Sequence, residues 1–592
     1  MKPALNRALR SLTCLAAMLG NFSLANAAEE TVGTTQSSPS VQTSSEKDEV
    51  RELKQQLADQ QKQIEELRIM LLNQQKQISE AAKATSTAPA ETVQAAALST
   101  PVSTSLTGKG IGEVASLTPI LPPAPIAAAP TAPMPTAVVT PPPPAPQGDQ
   151  SSPLQIHLGD ATITPVGFMD FTNTFRSPNA GTDLQTNFGN FPYNNTIPGR
   201  LTEDKLSVEN SRIGFRVDAT VKDTHVLGYF EGDFVGGYGN GSNNGLVSSN
   251  SNLFRIRQYY VDLRKGFWEV LAGQAWSMIT PNRRGMGVLP ADLFYSQVVD
   301  VNYMNGLFWG RIPGIRFIGH PSDKVAFGLA LENSTNYFGG SGGGGVPTLP
   351  AAFASNTAYI NAQLDGGTAN DRATANLHPD IIAKFTIDPS PKFHFEIAGV
   401  ESTVKLFNPT NQQYYSKAGT GGTLVMSGEI FKNFRLLTNN FWSDGNGRYL
   451  FGSMPDFIVR ADGSPSLVHS MSTVSGFEAT VHNVIQPYVY YGGAYGSRNT
   501  ALDATKPPVY IGYGYPGSPN SQNRSIQEIS GGWTHTLWRD GKYGALQYMV
   551  QYAYFWRNPW YVAPNAPKNA HMTAVWFNLR YVLPGTAPTI KY

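Results

Sequence analysis

The chain has 592 residues, with 44 Lys plus Arg against 43 Asp plus Glu, so no global field draws it to nucleic acid. Charged residues make up only 15%, aromatics reach 11%, 57 residues are glycine and mean hydropathy is −0.24. No clean apolar run reaches the roughly 18 residues a spanning helix needs, which argues against a helical membrane protein; the combination fits a transmembrane β-barrel.

Residues 1–27 have the layout of a secretory signal peptide: Lys2, Arg7 and Arg10, an apolar stretch from Leu9 to Leu19, then the small-residue site Ala25-Asn26-Ala27. Cys14, the one cysteine, lies inside this segment, and Ser11-Leu12-Thr13 before it is no lipoprotein box. The mature chain is therefore expected to carry no disulfide, lipid anchor or thiolate metal site.

Residues 46–82 repeat every seven positions, with Val50, Leu57, Ile64, Leu71 and Ile78 at a, and Leu53, Gln60, Leu67 and Gln74 at d. This predicts a coiled coil, a rod of roughly 55 Å, whose glutamines fix register at some cost in stability. Its a and d residues do not decide between two and three strands. Residues 83–153 are rich in Ala, Pro, Thr and Ser, lack aromatics, and include Pro141 to Pro144 in a row, as a semi-extended spacer does. Of the chain's 26 Tyr, 29 Phe and 9 Trp, only Phe22 precedes residue 154, so residues 154–592 form one large body.

In that body Ile213, Phe215, Val217 and Ala219 alternate with Arg212, Gly214, Arg216 and Asp218, and Val575, Phe577, Leu579 and Tyr581 with Asn578 and Arg580. A period of two puts apolar groups on one face and polar groups on the other. Strands are expected at 162–175, 206–220, 224–235, 253–264, 267–275, 311–319, 324–332, 380–388, 392–401, 422–432, 434–443, 470–482, 485–495, 524–537, 542–556 and 571–583. The segment 253–264 changes parity around Gln258, which indicates a bulge or a misplaced boundary. Long connections alternate with tight turns such as Lys265-Gly266 and Arg539-Asp540-Gly541. Soluble sandwiches share the alternation, but they have no reason to keep every second connection short. The expected fold is therefore all-β, a transmembrane barrel of about 16 antiparallel strands preceded by an α-helical coiled coil, with both barrel ends on the periplasmic side.

The chain at this point resembles the trimeric, DcaP-like outer-membrane porins of Gram-negative bacteria. The likeness rests on the order signal peptide, coil, spacer, barrel, and on Ser211-Arg212-Ile213-Gly214-Phe215, Gly228-Tyr229-Phe230-Glu231-Gly232-Asp233-Phe234, Leu271-Ala272-Gly273-Gln274-Ala275-Trp276-Ser277 and Arg311-Ile312-Pro313-Gly314-Ile315-Arg316-Phe317. It implies a homotrimer in outer-membrane lipid, a periplasmic coil, and passive uptake of small, often anionic, solutes. One departure stands out: nine residues follow Leu583, so either the tail tucks away or 571–583 is not the closing strand.

The third long connection, roughly Ser277 to Gly310, falls where trimeric porins fold a loop into the lumen; it carries Arg283, Arg284, Asp292 and Asp300. On the strands, Arg212 and Arg216 share a polar face with Glu231 and Asp233, and Arg255, Arg257, Arg311 and Arg316 lie close in chain order. Guanidinium stays charged and pairs bidentately with carboxylate or phosphate, and basic rings favour anions. Glu231 and Asp233 are able to pair with these arginines and set a transverse field instead. The body has 33 basic against 30 acidic residues, too even to decide. The expectation is weak anion preference, with a sugar or phosphate channel (Trp576 facing inward) or an envelope tether as alternatives.

Enzymatic motifs fail on context. Gly339-Gly340-Ser341-Gly342-Gly343 has no strand–turn–helix around it, and Gly512-Tyr513-Gly514-Tyr515-Pro516-Gly517 leads into Pro519 where a helix is needed. The nine histidines are dispersed. No cofactor, metal or catalytic residue is expected, though His482 or His535 in a Ser/His/acid cluster is not excluded by sequence.

Overall fold

The computed structural model describes residues 152–180, 182–236, 252–340, 344–366 and 376–584. The expected signal peptide, coiled coil, nearly all of the spacer, residues 341–343 of the glycine run and the last eight residues lie outside them.

The described residues form a closed antiparallel barrel. Its strands are β1 (Ala161–Ser177), β2 (Glu203–Ser207 and Arg212–Val221), β3 (Thr224–Asp233), β4 (Arg255–Lys265), β5 (Trp268–Trp276), β6 (Arg311–Ser322), β7 (Val325–Glu332), β8 (Asp380–Ser390), β9 (Phe393–Asn408) and β10 (Gln413–Phe431). The remaining six are β11 (Phe434–Asp444), β12 (His469–Ala479), β13 (Ile485–Gly496), β14 (Asn523–Asp540), β15 (Gly544–Pro559) and β16 (Ala570–Val582). Each pairs with the next, and β16 closes on β1 from Phe168↔Val582 to Ser177↔Thr573. Closure leaves no backbone edge to be orphaned in hydrocarbon. It also shows that 571–583 is the closing strand. Ile156–Leu158 pairs with the start of β1, and Ser152 Oγ donates to the Pro584 carbonyl at 2.9 Å, so the two ends of the barrel meet.

The alternation in the sequence becomes two faces. Met169, Phe171, Ile213, Phe215, Tyr259, Tyr552, Phe577 and Leu579 are exposed on the outside, while Asp170, Arg212, Arg216, Gln547, Gln551, Asn578 and Arg580 are buried inside. Apolar groups on the outer wall of a closed sheet belong in lipid. Tight turns close one end, with Lys222, Gly266, Asn433 and the pair His482–Asn483 taking the positive φ such turns demand.

The parity change in 253–264 is a bulge. Glu231 pairs with Gln258 and Gly232 with Ile256, which leaves Arg257 as the extra residue, so Arg257 and Gln258 both point inward. One expectation is corrected. The segment between β9 and β10 is not a long loop: the ladder continues to Asn408↔Gln413, and the two strands project past their neighbours. Val404 and Leu406 hold this extension by packing with Phe338, Phe353, Tyr359, Leu364, Phe457 and Val459 of the neighbouring loops. Its polar, glycine-rich run Gln413–Gly422 hid the strand from a pattern search.

Candidate permeation site

Loop 3, residues 277–310, folds into the barrel and is buried along nearly its whole length. Ser277 N donates to the Gly310 carbonyl at 2.8 Å and draws its two ends together. Inward-facing polar side chains then take its backbone groups one strand after another. Met278 N reaches Glu332 on β7 at 2.7 Å, Gly285 N reaches Asp388 on β8 at 2.7 Å, and Asn282 N reaches Glu396 on β9 at 3.3 Å. Further round, Gln297 N donates to the Tyr490 hydroxyl of β13 at 3.1 Å, Asn305 N to Glu528 of β14 at 2.8 Å, and Val299 N to Gln551 of β15 at 2.7 Å. A loop buried without its own secondary structure must find such partners for its amides. Where it touches β12 and β13 there is room only for glycine: a Cβ on Gly492 would sit 2.0 Å from the Asn305 carbonyl oxygen, and Gly306, at φ +87°, faces the Thr473 carbonyl.

Inside this belt the loops meet in a continuous apolar cluster. Phe188 of loop 1 packs on Phe451 of loop 6 and on Phe555 of β15, with ring centroids 5.6 and 6.0 Å apart. Trp276, Phe294, Tyr303 and Trp309 stack among themselves, and Phe308 lies on Phe441 of the wall. Trp576 is inward and part of the cluster. Apolar loops thus occupy much of the barrel's cross-section.

The candidate charges on the strands form an interleaved array beside loop 3. Glu231 accepts from Arg257 at 2.8 Å and lies 3.6 Å from Arg212; Asp233 accepts from Arg257 at 2.6 Å and from both Nε and Nη2 of Arg255 at 3.0 and 2.9 Å. Arg255 keeps a partly exposed side chain, whereas Arg212 and Arg257 are buried. The guanidinium of Arg212 stands over Phe168, and those of Arg257 and Arg311 over Trp276. Arg216 grips Asp218 bidentately at 2.6 and 2.7 Å, and Arg316 donates to the Trp276 carbonyl.

The loop charges separate. Arg283 reaches across to Glu478 on β12, with bonds of 3.1 and 2.9 Å. Arg284 is exposed. Asp300 is fully buried and accepts from Asn302 N at 2.8 Å; burial pushes its carboxyl up to about 6, against the pull of Arg176. Asp292 belongs to a short helix, Pro290–Leu293, and its side chain lies outside the described set.

Sequence reasoning missed the residues that hold the loop: Glu332, Lys384, Asp388, Glu396, Glu478 and Glu528. Each sits at inward parity, which is the signal that was available, but its partner on loop 3 lies far away in the chain. It also missed the buried Arg176–Glu203 pair. His535 contacts Tyr548 at 3.0 Å and shares the outward parity of Trp533 and Leu537, and His482 lies in a turn, so the two are not part of one cluster.

No family model matches the chain, and no curated protein sequence matches it. Among solved structures, the anion-selective porin of Comamonas acidovorans superposes with a TM-score of 0.39 at 13% identity, over 71% of this chain and 99% of the porin. The outer-membrane channel DcaP of Acinetobacter baumannii superposes with a TM-score of 0.51 at 15% identity, over 71% of this chain and 97% of the channel. The described body is thus a closed sixteen-stranded transmembrane β-barrel, similar in fold to the outer-membrane channel DcaP.

Proposed function

We propose that the protein is an outer-membrane channel for passive diffusion of small hydrophilic solutes, with a weak preference for anions. The observation that carries this reading is loop 3, tied by its amides to strand after strand of the inner wall of a barrel with an apolar exterior. Such a belt narrows the passage while leaving the sheet intact. Beside it Arg212, Arg255, Arg257 and Arg311 stand against Glu231 and Asp233, a local excess of positive charge, and Arg284 is exposed on loop 3. Because most of these guanidinium groups are already engaged with carboxylates, the preference is weak and acts through the summed field.

The channel works as a homotrimer whose coil stands in the periplasm. Self-association is supported by a break in the outer apolar band. Thr438, Asn440, Thr473 and Ser475 face outward at mid-strand and bond to one another at 2.8 to 3.4 Å. Polar groups at that depth are better covered by protein than by acyl chains.

Planar-bilayer recording tests the reading. Purified protein should give discrete conductance steps, and reversal potentials in a salt gradient should favour the anion. Replacing Arg255 and Arg284 together by Ala should shift them toward neutrality. Cation preference would remove the selectivity claim, and a lack of steps would remove the channel.

The aromatic packing of loops 1, 3 and 6 favours a second reading, a substrate-selective channel for a sugar or phosphate compound. Liposome swelling separates the two: general diffusion falls smoothly with solute size, whereas a selective site saturates.

A further inference from the structure

We propose that His394 is a pH-operated latch on loop 3, holding the loop while its imidazole is doubly protonated and loosening it when the proton leaves. The inference rests on the channel reading and specifies how that passage is regulated.

His394, on β9, is buried under loop 3. Its Nδ1 lies 2.8 Å from Asp388 Oδ1 and its Nε2 lies 3.2 Å from Glu396 Oε2. Ionised carboxylates only accept, so both contacts are hydrogen bonds only when both ring nitrogens carry protons. The same two carboxylates hold the loop. Asp388 Oδ2 accepts from Gly285 N at 2.7 Å, and Glu396 Oε2 accepts from Asn282 N at 3.3 Å. Lys384 on β8 completes the set: its Nζ pairs with Glu396 at 2.9 Å and donates to the Thr280 carbonyl at 2.8 Å and to Asn282 Oδ1 at 2.6 Å.

The groups facing this cluster come from several elements. Loop 3 contributes Tyr295, whose ring lies 5.9 Å from the imidazole, and behind it Arg283, paired with Glu478 of β12. From β10, Ser427 pairs in register with His394 and accepts from Arg435 of β11 at 3.4 Å. The innermost four charges are two cations, His394 and Lys384, and two anions, Asp388 and Glu396, and they cancel. Losing the imidazole proton leaves one uncompensated negative charge in a buried site, and the neutral ring donates to only one carboxylate. The abandoned carboxylate is drawn toward water, taking the loop's anchor at 282 or 285 with it. Strong acid, by protonating the carboxylates, weakens the clamp from the other side. The latch is therefore tightest at intermediate pH and slackens as pH rises.

Single-channel recording of the full-length protein from about pH 5 to about pH 9, together with H394Q, tests this. In the wild type, the frequency of loop-driven current fluctuations should rise about tenfold across the alkaline limb, the scale of one lost charge-assisted hydrogen bond. H394Q, which cannot titrate, should show a flat limb. A nitroxide on R284C, at an exposed position of the loop, should gain mobility over the same pH range and needs no conductance to be read. A conducting wild type with a flat profile, or an H394Q variant that keeps the wild-type profile, overturns the latch. So does a label whose mobility ignores pH. A protein that never conducts while its label still loosens with pH overturns the channel reading and leaves the latch standing. If H394Q fails to fold, D388N replaces it: the amide removes one of the two anions and can accept from or donate to the ring, so loss of the proton abandons no charge there and the limb should likewise flatten.

Discussion

Single side chains carry most of the chemistry inside this barrel, and Asp300 shows how. Its carboxyl is fully buried on loop 3, and burial lifts it to about 6. A carboxylic acid raised in this way favours the folded state while protonated, and its contribution is lost as pH rises from the ordinary carboxylate value through about 6. At neutral pH the deficit is about 3 kcal/mol. D300N keeps the shape without the charge, so it should match the wild type near about pH 4 and resist urea unfolding better above about pH 7, measured as unfolding midpoints at the two pH values. Arg257 illustrates what was legible at this scale. The parity slip around Gln258 was visible in the sequence, and the structure turns it into a bulge that sends two consecutive residues inward. That Arg257 bridges Glu231 and Asp233 was only one of the pairings open to these charges, because alternation fixes a side chain's face but not its neighbour across the ladder.

At the scale of elements, strands were readable and the belt was not. All sixteen expected strands overlap observed ones, since each must show lipid an apolar face and the lumen a polar one. The one misread connection, between β9 and β10, leaves the membrane, where that rule stops applying and Ser, Lys, Gln and Gly serve a strand as well as a loop. Loop 3 folds into the barrel, but its fastenings are mostly bonds from its own amides to side chains on distant strands, which no local pattern encodes. The tightest fastening is steric. Gly492 leaves the Asn305 carbonyl the space that any side chain would fill. G492A should push loop 3 off β13 at a cost of about 1–3 kcal/mol while the barrel still closes, which would show as heat-modifiable migration like the wild type and a larger, noisier conductance. Wild-type conductance in G492A would mean that the loop does not set the passage.

For the whole molecule, the composition break at residue 154 and the first ladder of the barrel, Ile156–Leu158 on β1, fall close together in the chain. The coil and spacer lie outside the described residues, so their roles are proposals with separate tests. Removing residues 46–82 should leave the barrel's heat-modifiable folding and its bilayer conductance unchanged, since every ladder among the described residues lies beyond residue 155. Loss of conductance on that deletion would tie the coil to the pore, and an envelope defect with normal conductance would favour the tether.

The seam between β1 and β16, fastened by Ser152 on Pro584, has a consequence for biogenesis. The first strand of the ribbon waits for the last, so no partial product has a complete circumference, and each would expose a raw strand edge to lipid or to a neighbour. Export must therefore finish before insertion does, the intervening hundreds of residues must be kept from aggregating by other hands, and a chain cut short by even one strand becomes a substrate for proteolysis instead of a smaller channel.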